Sequence, residues 1–290
     1  MNILVVGGTR FFGIPMVSKL ITDGHDVTVA TRGQHRDPFE GKCRHIVMDR
    51  DDPESVKKAL DKYEFDTVID KISYCSNDVK NLLQNLSCKK YIQMSSCAVY
   101  REAKTGIKEE DFDTASYELK WEGRSGDYPE GKRQAERAAL EFVDASKCLF
   151  VRYPVVMGEH DHTGRIEFYV NHITGGIPMY VDNMDVRMPF IHEKEAGEFI
   201  AHLAGLDVTG AVNGSSEGSI TMRQFIGYIE NKTGKKAVFD NKGEAAPYNG
   251  TLADVSYDTT KAEKTDFKFS AVDEWIYGLL DRKVTEGPSL

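Results

Sequence analysis

The first thirteen residues, Met1 to Gly13, read MNILVVGGTRFFG and decide the fold. A short apolar run at residues 3–6 leads directly into a glycine-rich turn, and an amphipathic helical pattern over residues 14–23 follows it. A buried strand that ends in glycines and opens a helix is typical of dinucleotide-binding α/β proteins. The glycines allow the tight turn, and the helix N-terminus attracts phosphate. The turn is not a Walker A loop, because no Gly-Lys-Ser/Thr follows it.

Strand-like apolar runs and amphipathic helical patterns alternate from this turn to about Gly158. The further strand-like runs are residues 26–30, 44–48, 67–72, 90–94 and 148–153. The helical patterns between them cover residues 53–63, 78–86 and 132–145. Strands that alternate with helices form parallel sheets, because each crossover places a helix on a face of the sheet. The pattern predicts a doubly wound α/β fold with one parallel sheet of about seven strands.

The rhythm changes after Gly158, where the segments become less regular and a polar stretch covers residues 240–254. Three helical patterns remain, at residues 194–205, 222–233 and 271–280, and residues 285–290 are typical of a loose tail. We predict a Rossmann dinucleotide-binding domain over residues 1–158, with a later return segment near residues 186–214. Residues 159–290 then form mainly a smaller α+β lobe that binds the substrate.

The composition is that of an ordinary globular chain. Of its 290 residues, 40% are hydrophobic and 29% charged, which argues against the disordered and fibrous classes. The formal net charge of −9 opposes binding to the phosphate backbone of nucleic acids. No apolar run approaches the roughly 20 residues that cross a bilayer, and we expect no signal peptide. Five scattered cysteines without a Cys-X-X-Cys pair are typical of a reduced, cytoplasmic protein.

The glycine-rich turn supplies most of the predicted cofactor contacts. A turn of this type lets the backbone approach a pyrophosphate, although similar turns also occur without a ligand. The expected contacts in the turn are Gly7, Thr9, Arg10, Phe11, Phe12 and Gly13. Those at the ends of the later strand-like runs are Thr31, Arg32, Asp49, Arg50, Ile72 and Tyr153.

The second strand-like run decides which dinucleotide we expect. Sites that prefer NAD usually place an Asp or Glu there for the adenosine ribose, but this run ends in Thr31 and Arg32. A guanidinium binds a phosphate through two parallel hydrogen bonds, and Arg10 can reach the same side. NADP is therefore the predicted cofactor, ahead of NAD. Asp49 is assigned to the adenine amino group, with a solvated loop carboxylate as the alternative.

A serine, a tyrosine and a lysine form the predicted catalytic set. Tyr128 and Lys132 are four residues apart at the start of a helical pattern, so they lie on one face. A lysine ammonium near a phenol lowers the phenol pKa, and the tyrosine can then exchange a proton with an alcohol or a carbonyl. Ser96, just beyond the fifth run, can hydrogen-bond the same oxygen. The alternative is a surface tyrosine with a nearby lysine.

These motifs resemble the extended short-chain dehydrogenase/reductases, the NAD(P)-dependent epimerase/dehydratase family. The likeness lies in residues 7–13, residues 95–100 (SSCAVY), Tyr128 to Lys132 with Glu136, and the Phe-Ile-His triplet at residues 190–192. The resemblance implies a Rossmann domain with a smaller C-terminal lobe, a catalytic Ser-Tyr-Lys set and often a homodimer. The turn and residues 158–165 are most similar to an atypical branch that includes chloroplast stem-loop-binding proteins.

The chain departs from the family pattern at several positions. Arg10 replaces the middle glycine of the turn, which agrees with an NADP site. Val155 and Met188 stand where sugar-nucleotide epimerases usually carry an Asn and an Arg, which argues against a uridine diphosphate sugar. Sugar 4,6-dehydration is also disfavoured, because Cys97 and Ala98 occupy the place of a carboxylate pair.

Three further residues are assigned to the substrate side of the cleft, namely Cys97, Arg165 and His192. Arg165 is suited to hold an anion where the lobes meet, with an ordinary salt bridge as the alternative. For His192 a structural role is the simpler interpretation, and Cys97 has no predicted nucleophilic role because buried cysteines usually act as small apolar residues. The run His160-Asp161-His162 does not readily converge on one ion, so no metal is predicted.

We expect an NAD(P)-dependent oxidoreductase or epimerase that acts on a secondary alcohol or its ketone, including that of a sugar or nucleotide sugar. Its partner is a small-molecule substrate, and neither nucleic acid nor a membrane is expected. Two alternatives on the same fold are an RNA-binding protein, by analogy with the stem-loop-binding relatives, and an NADP-sensing regulator without chemistry. The regulator would normally lose Tyr128 or Lys132, and both are present.

Overall fold

The computed structural model describes residues 1–248 and 253–286. Its strands are β1 (Asn2–Val6), β2 (Asp26–Thr31), β3 (Arg44–Val47), β4 (Phe65–Asp70), β5 (Cys88–Met94), β6 (Cys148–Arg152), β7 (Val155–Met157), β8 (Pro178–Tyr180), β9 (Arg187–Met188), β10 (Phe190–His192), β11 (Gly210–Asn213), β12 (Ile220–Thr221), β13 (Val238–Phe239) and β14 (Glu244–Ala245). Its helices are α1 (Gly13–Thr22), α2 (Pro53–Leu60), α3 (Ser76–Leu83), α4 (Tyr128–Ala139), α5 (Arg165–Gly175), α6 (Glu193–Ala204), α7 (Met222–Thr233), α8 (Thr260–Glu263) and α9 (Val272–Glu286).

The central sheet has seven strands in the order β11-β6-β5-β4-β1-β2-β3, and every neighbouring pair is parallel. The predicted doubly wound parallel sheet is therefore confirmed. The chain builds outward from β1 through β2 to β3, and then returns to β4 on the other side of β1. Such a reversal opens a crevice at the carboxyl ends of the strands, because the adjacent crossovers leave in opposite directions. The crevice lies beyond Val6 of β1 and Asp70 of β4, which pair in register.

Both faces of the sheet are covered by helices, as the continuous apolar strands require. Successive side chains of β1 point to opposite faces: Ile3 and Val5 belong to the core beneath α1 and α6, and Leu4 and Val6 to the core beneath α2, α3 and α4. The helices α1 and α6 approach closely at Gly197, where a Cβ would lie 2.4 Å from a backbone oxygen of the turn before α1. The sandwich therefore holds the N-terminus of α1 rigidly against the crevice.

The chain after β6 forms a separate apolar cluster built mainly from α5, α7 and α9. It also returns to the central sheet, because β11 pairs with β6 at the sheet edge. The domain boundary at Gly158 stays a prediction. Within the described residues, no helix is both long enough and apolar enough to cross a membrane.

Most helix bounds differ from the sequence patterns by no more than three residues, and the short α8 was not predicted, but three differences are larger. The sequence pattern of α7 matches its observed bounds, but α4 ends at Ala139, six residues before the predicted end. The helix α5 was not predicted, although its buried residues Ile166, Tyr169, Val170 and Ile173 have helical spacing. The last helix continues to Glu286, so the expected tail over residues 285–290 is helical at its start, and residues 287–290 lie outside the described residues.

Candidate active site

The glycine turn between β1 and α1 has a backbone that only small residues fit easily. Gly7 and Gly8 have φ angles of 84° and 126°, which side chains strongly disfavour. A Cβ on Gly13 would lie 2.6 Å from the Cα of Gly8, so Gly13 allows the turn to close on itself. Gly13 lines neither cavity of the crevice, and its part in the site is therefore to shape the turn.

The N-terminus of α1 is open to an anion. Phe12 precedes the helix without a side-chain cap, and the first turn contains no acidic residue. Within residues 1–248 and 253–286, the backbone N–H groups from Thr9 to Phe12 donate to no protein acceptor. Unpaired N–H groups at the positive end of a helix form a ready phosphate site. This turn therefore fits the diphosphate of a dinucleotide.

A first cavity of about 280 Å³ extends from this turn across the ends of β1, β2 and β3. The predicted cofactor residues that line it are Gly7, Thr9, Arg10, Thr31, Arg32, Asp49, Arg50 and Ile72. Arg10 and Arg32 are exposed, and neither forms an ion pair in the described part of the chain. Asp49 is also exposed, and one of its oxygens accepts the N–H of Asp51 at 3.0 Å. The cavity thus contains two guanidinium groups without an ion pair among the described residues and one carboxylate that already accepts one backbone hydrogen bond.

Arg50 differs from the other two arginines because its charge is already paired inside the protein. It is only 4% exposed, and its two terminal nitrogens donate to the Asp70 carboxylate at 2.7 and 3.0 Å. One of them also donates to the carbonyl of Asp78 at 2.8 Å. Arg50 therefore forms part of the wall of the cavity and ties the loop after β3 to β4.

A second cavity of about 590 Å³ adjoins the first. The predicted residues that line it are Phe11, Phe12, Ser96, Cys97, Tyr128, Tyr153 and Arg165. Lys71, Tyr74 and His162 line both cavities, so the two spaces form one continuous crevice. Among the described residues, no Asp or Glu lines the second cavity.

Tyr128 and Ser96 meet in this second cavity. Tyr128 begins α4, which the Asp127 carboxylate caps by accepting the N–H of Glu130 at 3.1 Å. Ser96 follows β5 and caps a short 3-10 turn by accepting the N–H of Ala98 at 3.1 Å. Burial raises the pKa of the Tyr128 phenol, and its hydrogen bond with Ser96 opposes that rise. The two side chains are therefore close enough to share one substrate oxygen.

Lys132 lies one turn further along α4, beneath the tyrosine. It is fully buried, and its ammonium donates to the carbonyls of Ser73 at 2.7 Å and Met94 at 3.0 Å. The ammonium is 5.8 Å from the ring centroid of Tyr128 and 4.8 Å from that of Tyr74. Burial lowers the pKa of Lys132 to about 7, against the opposing charge of Asp70. The lysine is thus close to the phenol and lines neither cavity directly.

The three residues assigned to the substrate side have different environments. Cys97 is 3% exposed, and burial raises the pKa of its thiol well above the usual value, so it is a weak nucleophile. Arg165 lines the cavity while its Nε donates to Thr163 at 2.7 Å and its Nη2 lies 3.6 Å from Asp161. His192 lies outside both cavities, where its Nδ1 accepts the N–H of Lys194 at 3.2 Å and caps α6.

Tyr153 and the histidine run complete the predicted residues. The hydroxyl of Tyr153 donates to the carbonyl of Ala196 at 2.7 Å, so only the ring faces the cavity. His160 pairs with Glu193 at 2.7 Å, away from His162, which faces the crevice. Within residues 1–248 and 253–286, no three His, Cys, Asp or Glu side chains form a group suited to a metal ion.

Sequence reasoning missed Lys71, Tyr74 and Arg124, which line the first cavity. Lys71 directly follows β4, and its position at the carboxyl end of a central strand is the signal that would have found it. Tyr74 and Arg124 carry no such signal, because the loop before α4 brings Arg124 to within 5.3 Å of the Tyr74 ring across 50 residues of chain.

A model of the NAD dependent epimerase/dehydratase family matches residues 3–81 and 75–213. The chloroplast stem-loop binding protein of 41 kDa b from Arabidopsis thaliana is 35% identical over 34% of this chain, and the match spans 30% of that protein's length. A UDP-glucose 4-epimerase from Thermotoga maritima, solved with UDP-glucose, is similar over 98% of each chain, with a TM-score of 0.75 and 16% identity.

A UDP-glucose 4-epimerase from Thermus thermophilus, solved in complex with NAD, is similar over 98% of this chain and 99% of its own, with a TM-score of 0.73 and 17% identity. At these identities the two structures show the shared fold. The family match covers well over half of the chain. The chain therefore belongs to the NAD dependent epimerase/dehydratase family.

Proposed function

We propose that the protein is an NADP-dependent oxidoreductase or epimerase that acts on a secondary alcohol or its ketone. The observation that carries the proposal is the continuity of the two cavities. The phosphate-binding turn lines one cavity, Ser96 and Tyr128 line the other, and three residues are common to both. A dinucleotide laid along this crevice would bring its reactive end to the serine and the tyrosine.

In this proposal Tyr128 holds the proton that moves. Its hydroxyl donates the proton to a substrate carbonyl oxygen, and in the reverse direction its phenolate form takes the proton from the alcohol. Ser96 donates a hydrogen bond to the same oxygen and stabilises the charge that develops there. When bound, the nicotinamide supplies the hydride donor or acceptor.

Lys132 acts on Tyr128 through the positive charge of its ammonium. Its ammonium uses two of its three N–H groups on the carbonyls of Ser73 and Met94, which leaves one donor. A positive charge 5.8 Å from the phenol ring favours the phenolate and so assists proton removal from the alcohol. Because the pKa of Lys132 is about 7, this assistance would decline as the pH rises above that value.

The preference for NADP over NAD rests on the first cavity. Arg10 and Arg32 line it without an ion pair among the described residues, and β2 ends in Thr31 rather than in an acid. Both features favour the extra phosphate of NADP. Asp49, in the same cavity, stays assigned to the adenine amino group, which NADP and NAD share.

The walls of the second cavity limit the substrate. Val155 and Met188 line it, and its cationic groups are Lys71 and Arg165, while burial lowers the pKa of His162. A cavity with apolar walls, cations and no carboxylate among the described residues favours a substrate that is neutral or anionic. We therefore propose a sugar-like or other small secondary alcohol, with an anionic group that Arg165 can hold.

Replacement of three side chains tests this function. Tyr128→Phe removes only the hydroxyl, so we expect NADP to bind while turnover falls by about 10²–10⁴-fold. Ser96→Ala should lower turnover with cofactor binding intact, and Lys132→Ala should reduce both. Tyr63→Phe is the matched control, because it removes a hydroxyl from a ring that stacks on Phe65 outside both cavities. Full activity of Tyr128→Phe on the physiological substrate would refute the proposed mechanism.

The relative from Arabidopsis thaliana favours a second candidate function, since its name describes stem-loop binding. The net charge of −9 argues against a broad phosphate-backbone site on this chain. Retention of a structured RNA on a filter, lost as salt increases, would support that candidate, and no retention at low salt would exclude it.

A further inference from the structure

Lys71 occupies the centre of the crevice. It follows the last residue of β4, and its backbone N–H donates to the carbonyl of Val6 at 3.1 Å. This bond places Lys71 directly beside Gly7, where the phosphate-binding turn begins. Its side chain lines both cavities, so it lies at the junction between the cofactor side and the substrate side.

The surroundings of the Lys71 ammonium are cationic. Its nitrogen lies 4.1 Å from the ring centroid of Phe12, the residue that precedes α1, so it stands at the positive end of that helix. The charged and titratable groups that share its cavities from neighbouring elements include Arg10, Tyr74, Tyr128, His162 and Arg165. None of these is an acid with a negative charge at neutral pH.

The carboxylates of the first cavity, Asp49 and Asp51, form no ion pair with Lys71 among the described residues, and Asp51 pairs with Arg124 at 3.2 Å instead. In the part of the chain that the structure describes, Lys71 forms no salt bridge. Burial lowers the pKa of Lys71 to about 8, and the charge of Arg10 lowers it further.

This arrangement is unfavourable in the free protein and favourable once an anion arrives. A helix N-terminus, a guanidinium and a desolvated ammonium repel one another, and an anion between them would reverse each of these interactions. We propose that Lys71 and His162 clamp the diphosphate of the dinucleotide, while Arg10 stays assigned to the additional phosphate of NADP. This inference rests on the proposed cofactor and adds the residues that hold its central, negatively charged part.

The clamp predicts that cofactor binding takes up a proton. The pKa of Lys71 is about 8 in the free protein and should rise beside two phosphates. The protonated fraction of a group with that pKa falls from about 0.9 at pH 7 to about 0.1 at pH 9. If the charged form is the one that binds, affinity for the diphosphate should fall about tenfold across this range.

Calorimetric titration with ADP-ribose tests the clamp without the nicotinamide, whose binding beside Ser96 and Tyr128 belongs to the proposed function. We expect Lys71→Met to bind at least about tenfold more weakly than wild type at pH 7, with little change up to pH 9. Lys71→Arg keeps a charge that does not titrate, so it should retain affinity and lose the pH dependence. Lys58→Met, on the exposed surface of α2, should match wild type.

The outcomes separate this inference from the proposed function. Equal affinity of Lys71→Met and wild type, with NADP still bound, would overturn the clamp and leave the proposed function standing. A tenfold pH dependence that persists in Lys71→Arg would also overturn it, because another group would then be titrating. If wild type binds neither NADP nor NAD, both proposals fail. Circular dichroism spectra of each variant establish that it is folded.

Discussion

Glu136→Gln is the substitution whose effect on the unfolding free energy the structure defines best. Glu136 on α4 and Arg152 at the end of β6 are both fully buried, and their side chains meet at 2.7 and 3.0 Å. Burial raises the pKa of Glu136, but the Arg152 charge and the hydrogen bonds from Arg152, Ser95 and Thr114 together outweigh burial and hold the pKa below its usual value. The pair fixes α4, one turn beyond Lys132, to the central sheet.

The glutamine keeps the size of the side chain and removes its charge, so the guanidinium of Arg152 stays buried without a counter-charge. Its remaining acceptors are the hydroxyls of Tyr100 and Thr114 and the carbonyls of Glu109 and Phe112. Breaking a buried pair in this way costs about 3–5 kcal/mol. At ~2 °C per kcal/mol for a chain of this size, the melting temperature should fall by about 6–10 °C.

Urea denaturation followed by circular dichroism measures this cost. Glu141→Gln is the matched control, because Glu141 lies just after α4 and forms a solvent-exposed 2.7 Å pair with Arg137 of that helix. Exposed pairs of this spacing contribute about 0.3–0.5 kcal/mol. Because the pKa of Glu136 is lowered by folding, the difference between wild type and Glu136→Gln should be complete above about pH 4.3 and decline below it. Equal stability of Glu136→Gln and wild type at pH 7 would show that the buried pair with Arg152 does not stabilise the fold.

Three further predictions concern the crevice. Arg32→Ala should weaken NADP binding by about 10–150-fold and leave NAD binding unchanged in parallel titrations, whereas Arg36→Ala, outside the cavity, should change neither. Folding lowers the pKa of Lys132, so the unfolding free energy of wild type relative to Lys132→Met should rise from about pH 7 towards pH 10. The rise should be at most about 1.4 kcal/mol per pH unit, and a difference that does not change with pH would contradict this expectation. Gly131→Ala places a Cβ 2.3 Å from the Tyr74 carbonyl and should cost about 1–3 kcal/mol of unfolding free energy, while Gly123→Ala, which meets nothing within 4 Å, should be tolerated.

The central sheet was predictable because its signals are local. Each of the first six strands contains at least two neighbouring apolar residues, and the glycine turn identifies the carboxyl edge where the crevice opens. The helix α7 was also predictable, since apolar spacing and the Thr221 cap mark its start. The helix α5 has the same spacing, but Gly164 before it and Gly176 after it resemble a loop sequence.

The site was harder to predict, because its chemistry depends on contacts between distant segments. From the sequence, Arg50 is expected to be exposed in a loop. In the folded chain it is buried and paired with Asp70, 20 residues away. His192 belongs to a family motif, yet the fold uses it to cap α6. Lys71 gains its unusual surroundings from Arg10 and Phe12, which reach it from across β1.

A crystal structure of the protein with NADP would show directly whether the cofactor lies along the crevice with its nicotinamide beside Ser96 and Tyr128. We expect the diphosphate at the turn after β1, the additional phosphate beside Arg10 and Arg32, and the nicotinamide ribose within hydrogen-bonding distance of Tyr128 or Lys132. A cofactor bound outside the crevice would contradict the account. So would one whose nicotinamide lies away from both Ser96 and Tyr128.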